Sequence, residues 1–484
     1  MHGCGAGCHP FFHFFAGRGR LPLLRAPGRT RVPPAAGLNL LPPLVLAVAL
    51  GALPAPAPPR PVIVIPGTMG SVLVREGSER RVWGTLTQLR FLSPHRGIVD
   101  PRYDGLELPT ASTVPSENRD SIVAHGVLKR FSIFPRFLSV KAYQGLIRLL
   151  ERHGYVLGDI EHPTANATCY LFAYDWRRDI AESAAGLARA VERVRSVAPG
   201  PERRVDLVAH SMGGLVARYF LRFGARDVLG TDPVPPPSWE GAAAVRHAIL
   251  IGTPNRGSVE GFRAMLHGQR LLWRKVSPLT LFTFPSCYEL LPAPDETVFL
   301  DADGLPVEAD LYDADDWRRY GWSVYGPRTR ARFHRACLAE LGPDGERAFR
   351  EKYREWDRFL AAMLARARRF HAALSRGIPP EPVEIELLGA RCQATLARAI
   401  LYRKSDRFVT ATRSGERPRG MSRRRFRELT SLPGDGRVTA ASLAMRPDPD
   451  APDPPRVVWG CRSHDRLIDD ETIAGAIIRI LREP

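Results

Sequence analysis

Cysteine is sparse, with seven in a chain of 484 residues. No C-x-x-C pair and no Cys/His cluster is spaced for zinc, which argues against the common structural zinc modules. The odd count leaves at least one thiol unpaired within the chain, and spacing alone does not pair the others. Acidic residues are also short, 51 against 69 basic ones, for a net charge of +18. Nearly all of that basic charge is arginine, scattered among Ala, Gly and Pro, a pattern that a GC-rich coding sequence produces as readily as a functional polycation. No nucleic-acid-binding motif accompanies it, so nucleic acid is not the expected partner. A basic surface does suit association with an anionic membrane. Internal repeats are absent, which excludes solenoids and propellers. The apolar share, 44%, is ordinary for a globular chain long enough for one large domain or two modest ones.

Residues 1–60 stand apart as a basic stretch rich in Gly, Pro and Phe, expected to be disordered. Within them the charge-free run Gly37 to Pro54, followed by Ala55-Pro56-Ala57, has the layout of a secretory signal. The basic lead is long for one, and Pro58 follows the cleavage position. An uncleaved anchor is the alternative, although Pro42 and Pro43 weaken a spanning helix. Export or anchoring is preferred to a cytoplasmic location.

The chemistry begins at Val205-Asp206-Leu207-Val208-Ala209-His210-Ser211-Met212-Gly213-Gly214. An apolar run stops at a serine, and a helix-forming segment from Leu215 to Phe223 starts at once. That is a strand, a tight turn and a helix with a hydroxyl at the apex. Gly213 meets the need for a small residue two positions after Ser211, and Ala209 stands where the G-x-S-x-G form has glycine. The turn would lift Ser211 Oγ off the sheet edge and set the Met212 N–H at a helix N-terminus, where it can stabilise an oxyanion. A plain Ser-Gly turn is the bland alternative. Upstream, Val62-Ile63-Val64-Ile65 reads as a buried strand, and the following Pro66-Gly67-Thr68 loop is where such a fold takes its second oxyanion donor, the backbone N–H of Thr68.

Around these elements strands and helices alternate. Helices are expected over Ala142 to His153, Ile180 to Val197 and Ile473 to Leu481. Strands are expected at Cys169 to Ala173, at Ala248 to Ile251 within Ala243 to Ile251, at Val383 to Leu388 and at Arg456 to Trp459. The pattern implies an α/β-hydrolase fold, a mostly parallel sheet with helices on both faces. Residues 61–484 would form this domain, with a lid loop over about 75–138 and a helical, aromatic cap insertion over about 258–380. In the insertion no strand pattern is evident, and Arg347 to Leu374 reads as one long helix whose arginines form a solvated face.

A serine hydroxyl needs a base, and the base needs an acid to hold its tautomer. In this fold they follow in the order Ser, Asp/Glu, His. His464 lies between the last strand and the last helix, where the base belongs. Asp435, in Gly434-Asp435-Gly436, and Asp406, between Lys404-Ser405 and Arg407, both satisfy the order for the acid. Asp435 is preferred because flanking glycines permit a tight turn, whereas Asp406 has cationic neighbours. The motifs Ile65-Pro66-Gly67-Thr68-Met69-Gly70-Ser71, Tyr174-Asp175-Trp176-Arg177, Ala209-His210-Ser211-Met212-Gly213-Gly214, Gly252-Thr253-Pro254-Asn255-Arg256-Gly257, Pro285-Ser286-Cys287-Tyr288-Glu289-Leu290-Leu291-Pro292 and Gly434-Asp435-Gly436-Arg437-Val438 occur in that order. Together they resemble the lecithin:cholesterol acyltransferase and lysosomal phospholipase A2 family of α/β hydrolases, in its bacterial branch. The resemblance runs from about Pro61 to the C-terminus. It implies a Ser211–His464–Asp435 triad, a lipid or other ester substrate, hydrolysis or O-acyl transfer, and neither cofactor nor metal. Arg437 departs from the threonine usual after Gly-Asp-Gly. A catalytically silent binding protein on the same scaffold, or a thioesterase or peptidase, are the other readings.

Overall fold

The computed structural model describes residues 59–78, 80–84, 105–128, 142–198, 203–271, 274–375, 380, 383–445 and 456–483. The signal-like run and nearly half of the expected lid, chiefly 85–104 and 129–138, lie outside the described residues.

Six parallel strands make the central sheet: β1 (Val62–Ile65), β5 (Cys169–Leu171), β6 (Val205–His210), β7 (Val245–Ile251), β11 (Glu384–Ala390) and β16 (Val457–Gly460). Between β1 and β5 come β2 (Ser71–Arg75), β3 (Arg81–Trp83), β4 (Ile122–Val127) and helix α1 (Ala142–Arg152). Next along the chain are α2 (Ile180–Val197), α3 (Met212–Phe223) and α4 (Val259–His267). The insertion holds α5 (Ala314–Tyr320), α6 (Pro327–Leu341) and α7 (Gly345–Ser375), and α8 (Glu471–Leu481) closes the chain.

Why the strands sit where they do follows from their side chains. β1, β6 and β7 are β-branched and leucine-rich, and every residue but Arg246 is buried. A parallel strand covered on both faces needs no polar alternation. The parity of each strand then divides the core. Ile63, Ile65, Leu207, Ala209, Ala248 and Leu250 pack with α2 and α3. Val62, Val64, Val208, Ile249 and Ile251 pack with α1 and α8. This is the α/β-hydrolase arrangement read from the alternation of elements. In the sheet order β16-β11-β7-β6-β1-β5, the chain steps outward from β1 to β5 and then returns to β6 on the other side of β1. The loops leaving the C-terminal ends of β1 and β6 therefore diverge, and a crevice opens between them, where open α/β sheets bind ligands.

Three expectations needed correction in detail. In the stretch expected to be irregular after Arg75, β3 and β4 pair with β2 in a three-stranded sheet. The insertion is not free of strands: β8 (Gln269–Leu271) pairs with β9 (Arg274–Val276), and β10 (Phe299–Leu300) pairs with β13 (Ala399–Lys404). Segments of two or three residues are too short to show a period. Finally, the arginines of α7 are not all solvated. Arg366 is buried and bonds Asp179 at 2.5 and 2.9 Å and Asp227 at 2.8 Å. Asp179 in turn caps α2 by accepting from Ala181 N. A buried guanidinium needs such partners, since an unpaired one is costly. Around α4 to α7 a second apolar core gathers Phe262, Phe282, Tyr288, Trp317, Trp322 and Trp356.

Cys392 and Cys461 are joined, linking the residues just past β11 and β16 across 69 positions of sequence. β12 (Gln393–Leu396) follows Cys392, and His464 follows Cys461 by three residues, so the bond ties down the start of the loop that carries this histidine. Closing a loop of that length is worth about 2–4 kcal/mol in most proteins. We predict that reductant lowers the thermal midpoint of the wild type and leaves a Cys392→Ser/Cys461→Ser variant unmoved. Melts with and without reductant check this, and an equal response from both proteins would refute it. Among the described residues no helix is long and apolar enough to cross a membrane.

Candidate active site

Ser211 sits between β6 and α3 with φ 55° and ψ −126°, a backbone conformation disfavoured for any residue with a Cβ. Its neighbours explain how the turn closes. A Cβ on Gly213 would come within 2.6 Å of the carbonyl oxygens of Ile65 and Pro66. One on Gly214 would overlap the Thr253 side chain at 1.9 Å. The helix start is thus pressed against the ends of β1 and β7, which only glycine allows. Ala209 is fully buried within the core, so its methyl is accommodated where the motif usually has glycine.

The loop after β1 lies alongside. A Cβ on Gly67 would reach 2.7 Å from Ser211 Cβ and 3.3 Å from Oγ. Thr68 follows it, exposed, with Oγ1 3.4 Å from Met212 Sδ. The two expected oxyanion donors are therefore on adjacent backbone. Met212 is the first residue of α3, and its amide is one of the first-turn groups that a helix leaves unpaired.

His464, buried at 5% exposure, places Nε2 3.0 Å from Ser211 Oγ. Its Nδ1 is 2.8 Å from Asp435 Oδ2. The other carboxylate oxygen accepts from the amides of Arg437 at 2.9 Å and Val438 at 2.8 Å. Burial raises the Asp435 carboxyl, but His464 and these amides outweigh it and hold the group below the usual carboxylate range. His464 N also donates to Asp435 O at 2.9 Å, so backbone and side chain both join the two loops. Gly436, at φ 93°, turns the chain sharply enough for the amides to face back to the carboxylate. Gly252, at φ 58°, leaves room for the imidazole: a Cβ there would stand 3.2 Å from it. Asp406 is elsewhere, exposed at the tip of the hairpin between β13 and β14 (Arg407–Ala411). Of the two aspartates that chain order allows, only Asp435 meets His464.

Two further residues went unread in the sequence. Tyr143 of α1 accepts from Gly67 N at 2.7 Å and lies 2.9 Å from His210 Nδ1. His210 Nε2 is 3.3 Å from His464 O. With Nε2–H donating to that carbonyl, Nδ1 accepts the Tyr143 hydroxyl proton, so the ring is neutral. Burial, reinforced by His464, pushes the His210 imidazole down to about 4. This chain fastens the Gly67 loop to the backbone of His464. Contacts between residues 67 positions apart leave no local trace in sequence, although His210 beside the serine was a hint.

The remaining motifs buttress the same crevice. Tyr174 OH donates to Pro66 O at 2.7 Å, and Trp176 Nε1 donates to Ser71 O at 3.2 Å. Arg177 is fully buried between Asp120 and Asp175. Asn255 Nδ2 donates to Leu443 O at 2.6 Å, and Ser258 Oγ donates to Arg437 O at 2.6 Å, holding the Gly434–Val438 turn from behind.

The profile of the family described as lecithin:cholesterol acyltransferase matches residues 138–318. Over that segment the chain is similar to this family. The matched residues contain Tyr174 to Arg177, the Ser211 turn, Gly252 to Gly257 and Pro285 to Pro292, four of the six motifs that carried the resemblance. Uncharacterized protein YJR098C of Saccharomyces cerevisiae is 24% identical over 266 residues, which is 54% of this chain. The match spans a third of the yeast protein's length, 33%. A chain of "The crystal structure of Tle4-Tli4 complex" is similar at a TM-score of 0.49 and 14% identity, over 88% of this chain and 99% of that one.

Proposed function

We propose that the protein is a serine hydrolase of carboxylic esters, with lipid esters as substrates, working through an acyl-enzyme. One observation carries the reading: a single hydrogen-bonded line from Asp435 through His464 to the hydroxyl of the strained Ser211. Ser211 Oγ attacks the ester carbonyl as His464 Nε2 takes its proton. Asp435 keeps the Nδ1 proton facing it and offsets the imidazolium charge. The Met212 and Thr68 amides stabilise the oxyanion. Collapse expels the alcohol, which receives the proton from His464. Water or an acceptor alcohol then attacks the acyl-serine by the reverse steps, giving hydrolysis or O-acyl transfer.

Lipid as the substrate is supported by the family of residues 138–318. The acyl chain is proposed to lie under the lid of about 75–138 and the cap of about 258–380, with the basic surface meeting an anionic membrane. The Cys392–Cys461 bond supports an oxidising compartment, in keeping with an exported or anchored protein. A fluorophosphonate should label the purified protein at Ser211; a silent binding protein would not react. Rate against ester concentration, taken through the solubility limit for short and long chains, tests the lipid reading. A rise at the interface with long chains is expected. Strict preference for acetate esters with no such rise would refute it.

A further inference from the structure

The opposite edge of the sheet holds a group that this reaction does not use. His247, near the start of β7, has no solvent exposure. Its Nδ1 lies 3.1 Å from Asp206 Oδ1, which also accepts the His247 backbone amide at 3.0 Å. With the Nδ1 proton facing this carboxylate, the neutral ring presents a lone pair at Nε2. That buried nitrogen has no hydrogen-bond partner. Near the ring are the carboxylates of Glu384 at the start of β11 and Glu483 after α8, and one ligand atom from each of the three residues lies within 4.8 Å of the others. The scaffold of the cluster is fixed. Arg60 bonds both Asp206 oxygens, at 3.2 and 3.1 Å, and the Glu483 carbonyl at 2.9 Å. Two carboxylates thus stand close to a buried, unpartnered ring nitrogen.

We propose that His247 Nε2, Glu384 and Glu483 form a divalent-cation site, best suited to Zn²⁺, at the edge of the sheet opposite Ser211. Imidazole nitrogen and carboxylate oxygen are both zinc ligands, and water can supply a fourth. Asp206 is the outer partner that zinc-bound histidines ordinarily have, fixing the tautomer and raising ligand basicity. Ligand atoms on tetrahedral zinc stand about 3.3 Å apart, given bonds of about 2.0–2.1 Å. Glu384 is 46% exposed and can turn inward, releasing its 2.6 Å contact with Arg246. The bound ion would join the starts of β7 and β11 to the end of α8. Its role is structural and independent of the proposed hydrolysis.

The test uses the full chain, stripped with chelator and titrated with Zn²⁺ alone by calorimetry, alongside thermal melts. His247→Ala risks misfolding because it strands Asp206, so the informative variant is Glu384→Gln/Glu483→Gln, whose changes are at accessible carboxylates. Wild type should bind one Zn²⁺ per chain and melt higher with it. Loss of an outer partner alone costs 10–100-fold in affinity, so loss of two direct ligands should cost at least about 100-fold and abolish the shift in melting. Ser211→Ala should bind as wild type does. No zinc binding by wild type would overturn the proposal. So would equal affinity in the double variant, which would put the zinc elsewhere, for instance on the thiols of Cys169, Cys287 or Cys337.

Discussion

Ser211→Ala should remove esterase turnover by about 10⁴–10⁶-fold while the protein stays folded. The substitution deletes one oxygen, whose hydrogen-bond contact in the resting site is His464 Nε2 at 3.0 Å. Nothing in the core depends on it, since the turn is held by the Ser211 amide on Ile251 O and by the glycines at 213 and 214. Alanine shares the φ-positive strain, so stability should change little. The chemistry, by contrast, has no substitute nucleophile: His464 and Asp435 act only through the hydroxyl. Circular dichroism and a thermal melt establish folding, and turnover on p-nitrophenyl esters and phospholipid vesicles gives the effect. A folded mutant retaining half its activity would place the nucleophile elsewhere and remove the basis of the proposed function.

Asp435→Asn should lower kcat by about 10³–10⁴-fold, and Asp406→Asn by no more than about tenfold. Asp435 is 2% exposed and its two oxygens accept from Arg437 N, Val438 N and the imidazole. An amide at the same place must offer an NH₂ group either to two backbone donors or to His464 Nδ1. The backbone amides cannot change, so the oxygen stays with them and the NH₂ faces the ring. Nδ1 then becomes the acceptor and Nε2 carries the proton, the wrong tautomer for taking one from Ser211. Asp406 is exposed on a hairpin tip and touches none of these groups. Parallel kinetics of the two variants, with melts as a control, decide the matter. The reverse ranking in folded proteins would make the Gly434–Gly436 turn structural only.

Much of this architecture was legible because it is local. Four consecutive β-branched residues at 62–65, the apolar run into Ser211 and the apolar stripe of α2 each state their own conformation, since period and burial are properties of neighbouring residues. The helix Ile180–Val197 falls within its expected bounds for that reason. The Ser211 turn was readable from sequence because small residues at 209, 213 and 214 are the imprint of close packing. Chain order singled out His464 but left Asp406 and Asp435 equivalent. Order along a chain says nothing of which of two loops folds back onto a third. Tertiary structure alone decided that Asp435 faces His464 and that Asp406 faces solvent. It alone joined Cys392 to Cys461, paired Arg366 with Asp179, threaded Tyr143 and His210 between the Gly67 loop and His464, and set His247 against Glu384 and Glu483. Each of these links residues tens to hundreds of positions apart. Their partners are chosen by the packing of whole strands and helices, and no spacing rule within the sequence encodes that choice.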